Sequence, residues 1–141
     1  MNLNLNYAIP DGAIIRDDGM LVVPAGHAWA GHDVPGGVQG RNNPDAVQDV
    51  AVGPLPPGVY RVGEWAFTPE DSIRLGYPAH LGLIIASLTQ IDGDTFGRNG
   101  FFMHGPGGAD PRESSKGCIE VEHSYRIQVA AMKPDTITVN A

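Results

Sequence analysis

Arg98-Asn99-Gly100-Phe101-Phe102-Met103-His104-Gly105 is followed, a short way along the chain, by Ser114-Ser115-Lys116-Gly117-Cys118-Ile119. The apolar run Phe101 to Met103 reads as a strand that delivers His104 to its end. Cys118 is the only cysteine in 141 residues, with thirteen residues between it and that histidine. A lone cysteine forms no internal disulfide and makes up no multi-thiolate zinc site, so by itself it reads as a small buried apolar side chain. The neighbours change the reading. A free thiol titrates at about 8.5, and an active one needs a base or a positive neighbourhood. His104 can take the proton, Lys116 adds charge, and Gly117 leaves room for a carbonyl to approach. The amides of Gly117 and Cys118 are candidate oxyanion donors.

Working outward, short apolar segments at Met20 to Val23, Val59 to Trp65, Ile73 to Leu75, Leu81 to Leu88, Phe101 to Met103 and Thr136 to Val139 read as strands bounded by glycine, proline or aspartate. In the last, Ile137 and Val139 alternate with polar residues at the period of a half-buried strand. Leu81 to Leu88 is apolar on both faces, which predicts a central position. One helix is expected: Val121, Tyr125, Val129 and Met132 fall within an arc of roughly 80°, and Pro134 ends the pattern. Cys118 then sits just before the first turn, where free amides and the dipole stabilise an anion. These elements predict a mainly β domain with one packed C-terminal helix.

The chain length suits a single domain over residues 1–141 with a core that needs no staples. Nineteen glycines and twelve prolines, about 22% of the chain, fall just short of the roughly 25–30% typical of disorder. They concentrate at 24–58, which reads as a long ordered Gly/Pro-rich loop system. The net charge is −7, from 16 acidic and 9 basic residues, with no basic cluster longer than a pair, which argues against nucleic acid as a partner. No apolar run approaches the roughly 20 residues of a membrane span. The start, Met1-Asn2-Leu3-Asn4-Leu5-Asn6, lacks the basic and apolar regions of an export signal.

The order H-G-x(11)-G-C-I resembles the L,D-transpeptidase (YkuD-type) catalytic domain. Together with Gly40-Arg41-Asn42-Asn43-Pro44, Gly53-Pro54-Leu55-Pro56-Pro57-Gly58-Val59-Tyr60 and the Arg98 to Gly105 stretch, it is most similar to the subfamily of type VI secretion L,D-transpeptidase effectors. The resemblance covers roughly residues 20 to 130. It implies a YkuD-like β-sandwich, Cys118 as nucleophile, His104 as base, Gly105 as the position whose carbonyl orients the imidazole, and Ser115 as the serine or threonine before x-Gly-Cys. Two positions depart from the family's commonest pattern: Lys116 replaces histidine, and Glu120 replaces arginine or asparagine. Both bear on substrate positioning. In papain-like and NlpC/P60-like peptidases the cysteine precedes the histidine; here the order is reversed.

The resemblance implies an enzyme acting on peptidoglycan stem peptides through a cysteinyl acyl-enzyme, with no cofactor, in exchange, cross-linking or carboxypeptidase cleavage. With no visible export signal, it further implies an antibacterial effector made in the cytoplasm, delivered to a rival's periplasm, and accompanied by an immunity protein or secretion-machine component. A phage or prophage wall-lysis enzyme, a non-catalytic wall-binding module and a structural component of a secretion or phage particle are the alternatives. Arg98 and Lys116 are candidate substrate-binding residues, Arg98 because its planar fork suits a stem-peptide carboxylate or, equally, a structural turn. His27, His32 and Asp33 lack metal-ligand spacing, and no metal is expected. His80 and His123 read as structural or solvated, and Trp29 and Trp65 as core residues more than glycan platforms.

Overall fold

The computed structural model describes residues 2–106 and 117–141; Ser115 and Lys116 lie outside the described residues. The N-terminal segment Asn4-Leu5-Asn6-Tyr7-Ala8 alternates polar with apolar residues and forms strand β1, Asn4–Ala8, with Leu5 and Tyr7 buried. It pairs in parallel with the last strand, so both ends of the chain share one region of the sheet. The strands that follow are β2 (Ile14–Arg16), β3 (Leu21–Val23), β4 (Ala28–Ala30), β5 (Gly58–Val62), β6 (Ala86–Gly93), β7 (Phe101–His104), β8 (Ile119–Val121) and β9 (Thr136–Asn140). Among the described residues these nine strands form one sheet in the order β3-β2-β1-β9-β5-β6-β7-β8-β4.

That order dictates curvature. The edges of a flat nine-stranded sheet lie roughly 38 Å apart at about 4.8 Å per strand. Only residues 24–27 separate β3 from β4, the two edge strands, and five chain steps reach at most about 18 Å. The sheet therefore curls into a nearly closed, mainly β structure. Inside it, one cluster of buried side chains runs from Leu5, Tyr7 and Ile14 through Leu55, Tyr60 and Met103 to Ile137 and Val139.

Two helices accompany the sheet among the described residues: α1 (Pro69–Leu75) and α2 (His123–Met132). Helix α1 replaces the expected strand at Ile73 to Leu75. Its signals are local: Thr68 accepts from the Asp71 amide, Pro69 starts the helix, and Gly76 closes it with φ of 72°. Ile73, 81% exposed, has no core to enter. Helix α2 buries Val129 and Ala130 and packs Tyr125 and Met132 against the core, but Val121 belongs to β8, so the helix begins later than expected.

Strand β6 also starts later than the expected Leu81 to Leu88. Residues Ala79–Leu81 form a 3-10 turn, and positive φ at Gly82 and Ile84 breaks the extended backbone before Ala86. The strand nevertheless lies inside the sheet, between β5 and β7. The 24–58 segment is irregular except for β4, a 3-10 turn at Pro44–Ala46 and Gly58, which opens β5.

Candidate active site

Strands β7 and β8 pair in parallel, Met103 with Ile119 and His104 with Glu120. Phe102 is thereby brought beside Cys118. Because side chains alternate along a strand, Phe102, His104, Cys118 and Glu120 share one face of the sheet. All four line a single cleft of about 780 Å³, to which residues around Val50, the Pro78–Gly82 segment and Arg98 also contribute.

Cys118 is partly buried, and its Sγ accepts a hydrogen bond from the Phe102 amide at 3.3 Å. The helix N-terminus expected behind it is absent: strand β8 intervenes, and α2 begins at His123. The thiol thus has no helix dipole to stabilise its anion. Burial pushes it up to about 11, and Glu120 adds to the rise against the opposing effects of the Phe102 amide, its own amide and Arg98.

His104 is buried, 8% exposed. Its Nδ1 lies 2.7 Å from the carbonyl oxygen of Gly105. A carbonyl only accepts, so Nδ1 carries the hydrogen and Nε2 of the neutral ring is left as the basic nitrogen. Burial holds the imidazole below the ordinary histidine range, electrostatic interaction with Arg126 and with His80 lowers it further, and the Gly105 bond works against them. The free site therefore holds a neutral thiol and a neutral imidazole at pH 7, not an ion pair.

Gly117 adopts φ of +122°, a conformation L side chains rarely take, and an added Cβ would lie 2.6 Å from Arg98 Nη2 and 2.9 Å from the Phe101 ring. Its carbonyl accepts from the Leu55 amide at 2.9 Å. Arg98 sits on the other side of the same support. Expected to meet a substrate carboxylate, it lines the cleft but is only 6% exposed, and its guanidinium donates to the carbonyls of Val47 (2.6 Å), Pro54 (2.7 Å) and Gly53 (2.8 Å). This arginine knits the 47–54 loop to the cleft floor.

Arg126 carries no obvious signal in the sequence. From α2, 7% exposed, it donates to the carbonyls of Val121 at 2.7 Å and Ile84 at 2.9 Å. A Cβ on Gly105 would fall 2.5 Å from its Nη1, so the His104-Gly105 turn rests on this guanidinium. Its one sequence clue is a charge on the helix beside Tyr125 and Val129. Glu120 is 0% exposed and accepts from Trp29 Nε1 at 2.7 Å, which gives Trp29 a buried structural role. Trp65 is buried as well. His80, read as structural or solvated, borders the cleft. His27 instead pairs with Glu122 at 2.7 Å and meets the Tyr125 ring at a tilt, and among the described residues no cluster could hold a metal ion.

No family model, no curated protein and no solved structure matches the chain.

Proposed function

We propose that the protein is a cysteine-dependent enzyme that acts on peptidoglycan stem peptides as an L,D-transpeptidase or L,D-carboxypeptidase, on a β-sandwich of the YkuD type. The observation that carries the proposal is the pairing of β7 with β8: it puts Cys118 and His104 on one face of one cleft, with the imidazole tautomer set by Gly105.

In the proposed reaction Cys118 Sγ attacks the carbonyl of the diamino acid at the third stem position while its proton passes to His104 Nε2. The neutral state of both groups suits this route, in which the proton moves as the sulfur–carbon bond forms. The peptide C–N bond then breaks, and His104 returns the proton to the departing amine of the terminal D-amino acid. Water, a second stem's amine or a free D-amino acid next attacks the thioester, losing its proton to His104, and the thiol is restored. Developing negative charge on the carbonyl oxygen falls to the Gly117 and Cys118 amides. Delivery as an antibacterial effector belongs to the same proposal and rests on the sequence resemblance alone.

One observation favours a non-catalytic wall-binding module instead: a thiol held near 11 is a poor nucleophile unless a base removes its proton. Incubation with defined tetrapeptide and pentapeptide muropeptides, with and without D-amino acids, separates the two. Wild type is expected to give shortened or exchanged stems by mass spectrometry, and Cys118→Ala none. Binding without any change of mass in wild type rejects the enzyme.

A further inference from the structure

Arg126 poses a physical problem. It is buried, and burial works against its charge, yet a guanidinium stays protonated inside a protein. Buried cations are normally paired with an anion, and among the described residues this one forms no ion pair. Its donors go to backbone carbonyls instead, Nη1 to Val121 at 2.7 Å and Nε to Ile84 at 2.9 Å. It is not among the residues that line the cleft, so contact with a substrate does not account for it.

Its place in the fold supplies a reason. Val121 follows Glu120, the residue paired with His104, so the Nη1 bond reaches the end of the β7–β8 ladder. Ile84 lies between Gly82, which lines the cleft, and β6. A Cβ on Gly105 would fall 2.5 Å from Nη1 and 2.9 Å from Cζ, so Gly105 rests on the guanidinium itself. The carbonyl of that same glycine takes the Nδ1 hydrogen of His104. One fork thus holds the cleft wall, the ladder end and the carbonyl that orients the base. Charge follows the same route, since interaction with Arg126 disfavours the imidazolium. Around the imidazole, His80 from the 3-10 turn acts in the same direction. The remaining groups that share the cleft are Cys118, a neutral thiol, Glu120, which accepts from Trp29, and Arg98, which donates to the carbonyls of the 47–54 loop.

We propose that Arg126 is a positioning residue that acts through His104: its fork fixes the Gly105 carbonyl against Nδ1, and its permanent charge behind that turn keeps Nε2 free to receive the Cys118 proton. This inference rests on the cysteine–histidine reading above. A ring that already carries a second proton cannot act as the base, and a fixed positive charge nearby disfavours that proton. The consequence is a base that stays available in more acid solution than an ordinary histidine would.

The test compares Arg126→Gln with Arg126→Lys. Both lose the fork, but only the glutamine loses the charge, because a lysine is protonated at the acid pH where His104 titrates. NMR follows the His104 titration and the exchange of its Nδ1 proton, and neither readout needs a wall substrate. In Arg126→Gln the titration should move up by about one unit, and in Arg126→Lys it should stay near wild type. The Nδ1 proton should exchange faster in both. The acid limb of kcat/KM on muropeptides should move up with the titration in Arg126→Gln alone, a loss of about tenfold at pH values below the limb. Should Arg126→Gln not fold, the same titration is read on a chain ligated at Cys118 that carries citrulline, the neutral isostere of arginine, at position 126. An unmoved His104 in the uncharged variant, an equal shift in Arg126→Gln and Arg126→Lys, or Nδ1 exchange as slow as in wild type overturns the proposal. If wild type turns over no muropeptide, the wall reading fails while the NMR measurements still decide the role of Arg126.

Discussion

The carbonyl oxygen of Gly105 lies 2.7 Å from Nδ1 of the histidine that precedes it, so a backbone group, not a third side chain, sets the tautomer of His104. A backbone orienter cannot be removed by changing a side chain, but it can be moved. In Gly105→Ala the new Cβ falls 2.5 Å from Arg126 Nη1, on a guanidinium already tied to Val121 and Ile84. The expected result is a loss of about 1–3 kcal/mol in stability, from overpacking, and a fall in turnover. His104→Ala should keep stability closer to wild type and lose roughly 10²–10⁴-fold in rate. Denaturant midpoints and muropeptide kinetics on both variants check this, and an unperturbed Gly105→Ala would mean that Arg126 does not support the turn.

Thiol reactivity should follow an unusual pH course. With Cys118 held near 11, about one molecule in 10⁴ carries a thiolate at pH 7, and alkylation in the absence of substrate should be slow and climb up to pH 11. The linkage sign follows from the same shift. Between the ordinary thiol value near 9 and the folded value near 11, the unfolded chain has lost the proton that the folded chain retains. The contribution is therefore complete below about 9 and lost as pH rises through 11, amounting to at most about 2–3 kcal/mol. Tyr7 and Tyr60 are also pushed up by burial, so the wild-type curve alone does not isolate the thiol. Subtracting the curve of Cys118→Ala does. A difference flat from pH 8 to 11.5 would show that the thiol is not buried as described.

Some of this molecule is plain in its sequence and some is not. Strand β9 is readable because Ile137 and Val139 both face the core and their neighbours do not. Strand β8 is not, since it has three residues, all buried, one of them a glutamate whose partner Trp29 lies 91 positions away. Cys118, His104 and Gly117 stand out as rare or small residues in a close pattern. The task of Arg98 is hidden, because its acceptors are carbonyls 44 to 51 positions distant, and no residue type advertises a carbonyl. Expecting a helix N-terminus behind the thiol came from counting Val121 in the helical arc, where a three-residue strand fits its apolar side chain equally well.

Arg98 allows the substrate reading to be tested directly. Lysine cannot reproduce a fork that spans Val47, Gly53 and Pro54, and Arg98→Lys should lose about 2–4 kcal/mol of stability. Turnover should fall too, since the 53–55 segment holds the Gly117 carbonyl. Amidating the terminal carboxylate of a tetrapeptide stem distinguishes support from recognition. If Arg98 supports the floor, amidation changes kcat/KM by the same factor in wild type and Arg98→Lys. A smaller factor in the variant would return Arg98 to the carboxylate.

The wall as target makes a cellular prediction. Attached to an export signal and sent to the periplasm of a Gram-negative host, the chain should cause swelling or lysis; retained in the cytoplasm, where cross-linked wall is absent, it should be tolerated. Cys118→Ala is the decisive control because the 3.3 Å bond the sulfur accepts from the Phe102 amide and its 4.0 Å approach to the Gly100 carbonyl are weak, and losing them should leave the β7–β8 ladder standing. The exported variant should be harmless and fold like wild type by circular dichroism. Equal toxicity in both compartments would indicate a cytosolic substrate. Toxicity of the exported Cys118→Ala would put the effect in binding, not in acyl transfer, and would make the wall-binding module the better reading of the same cleft.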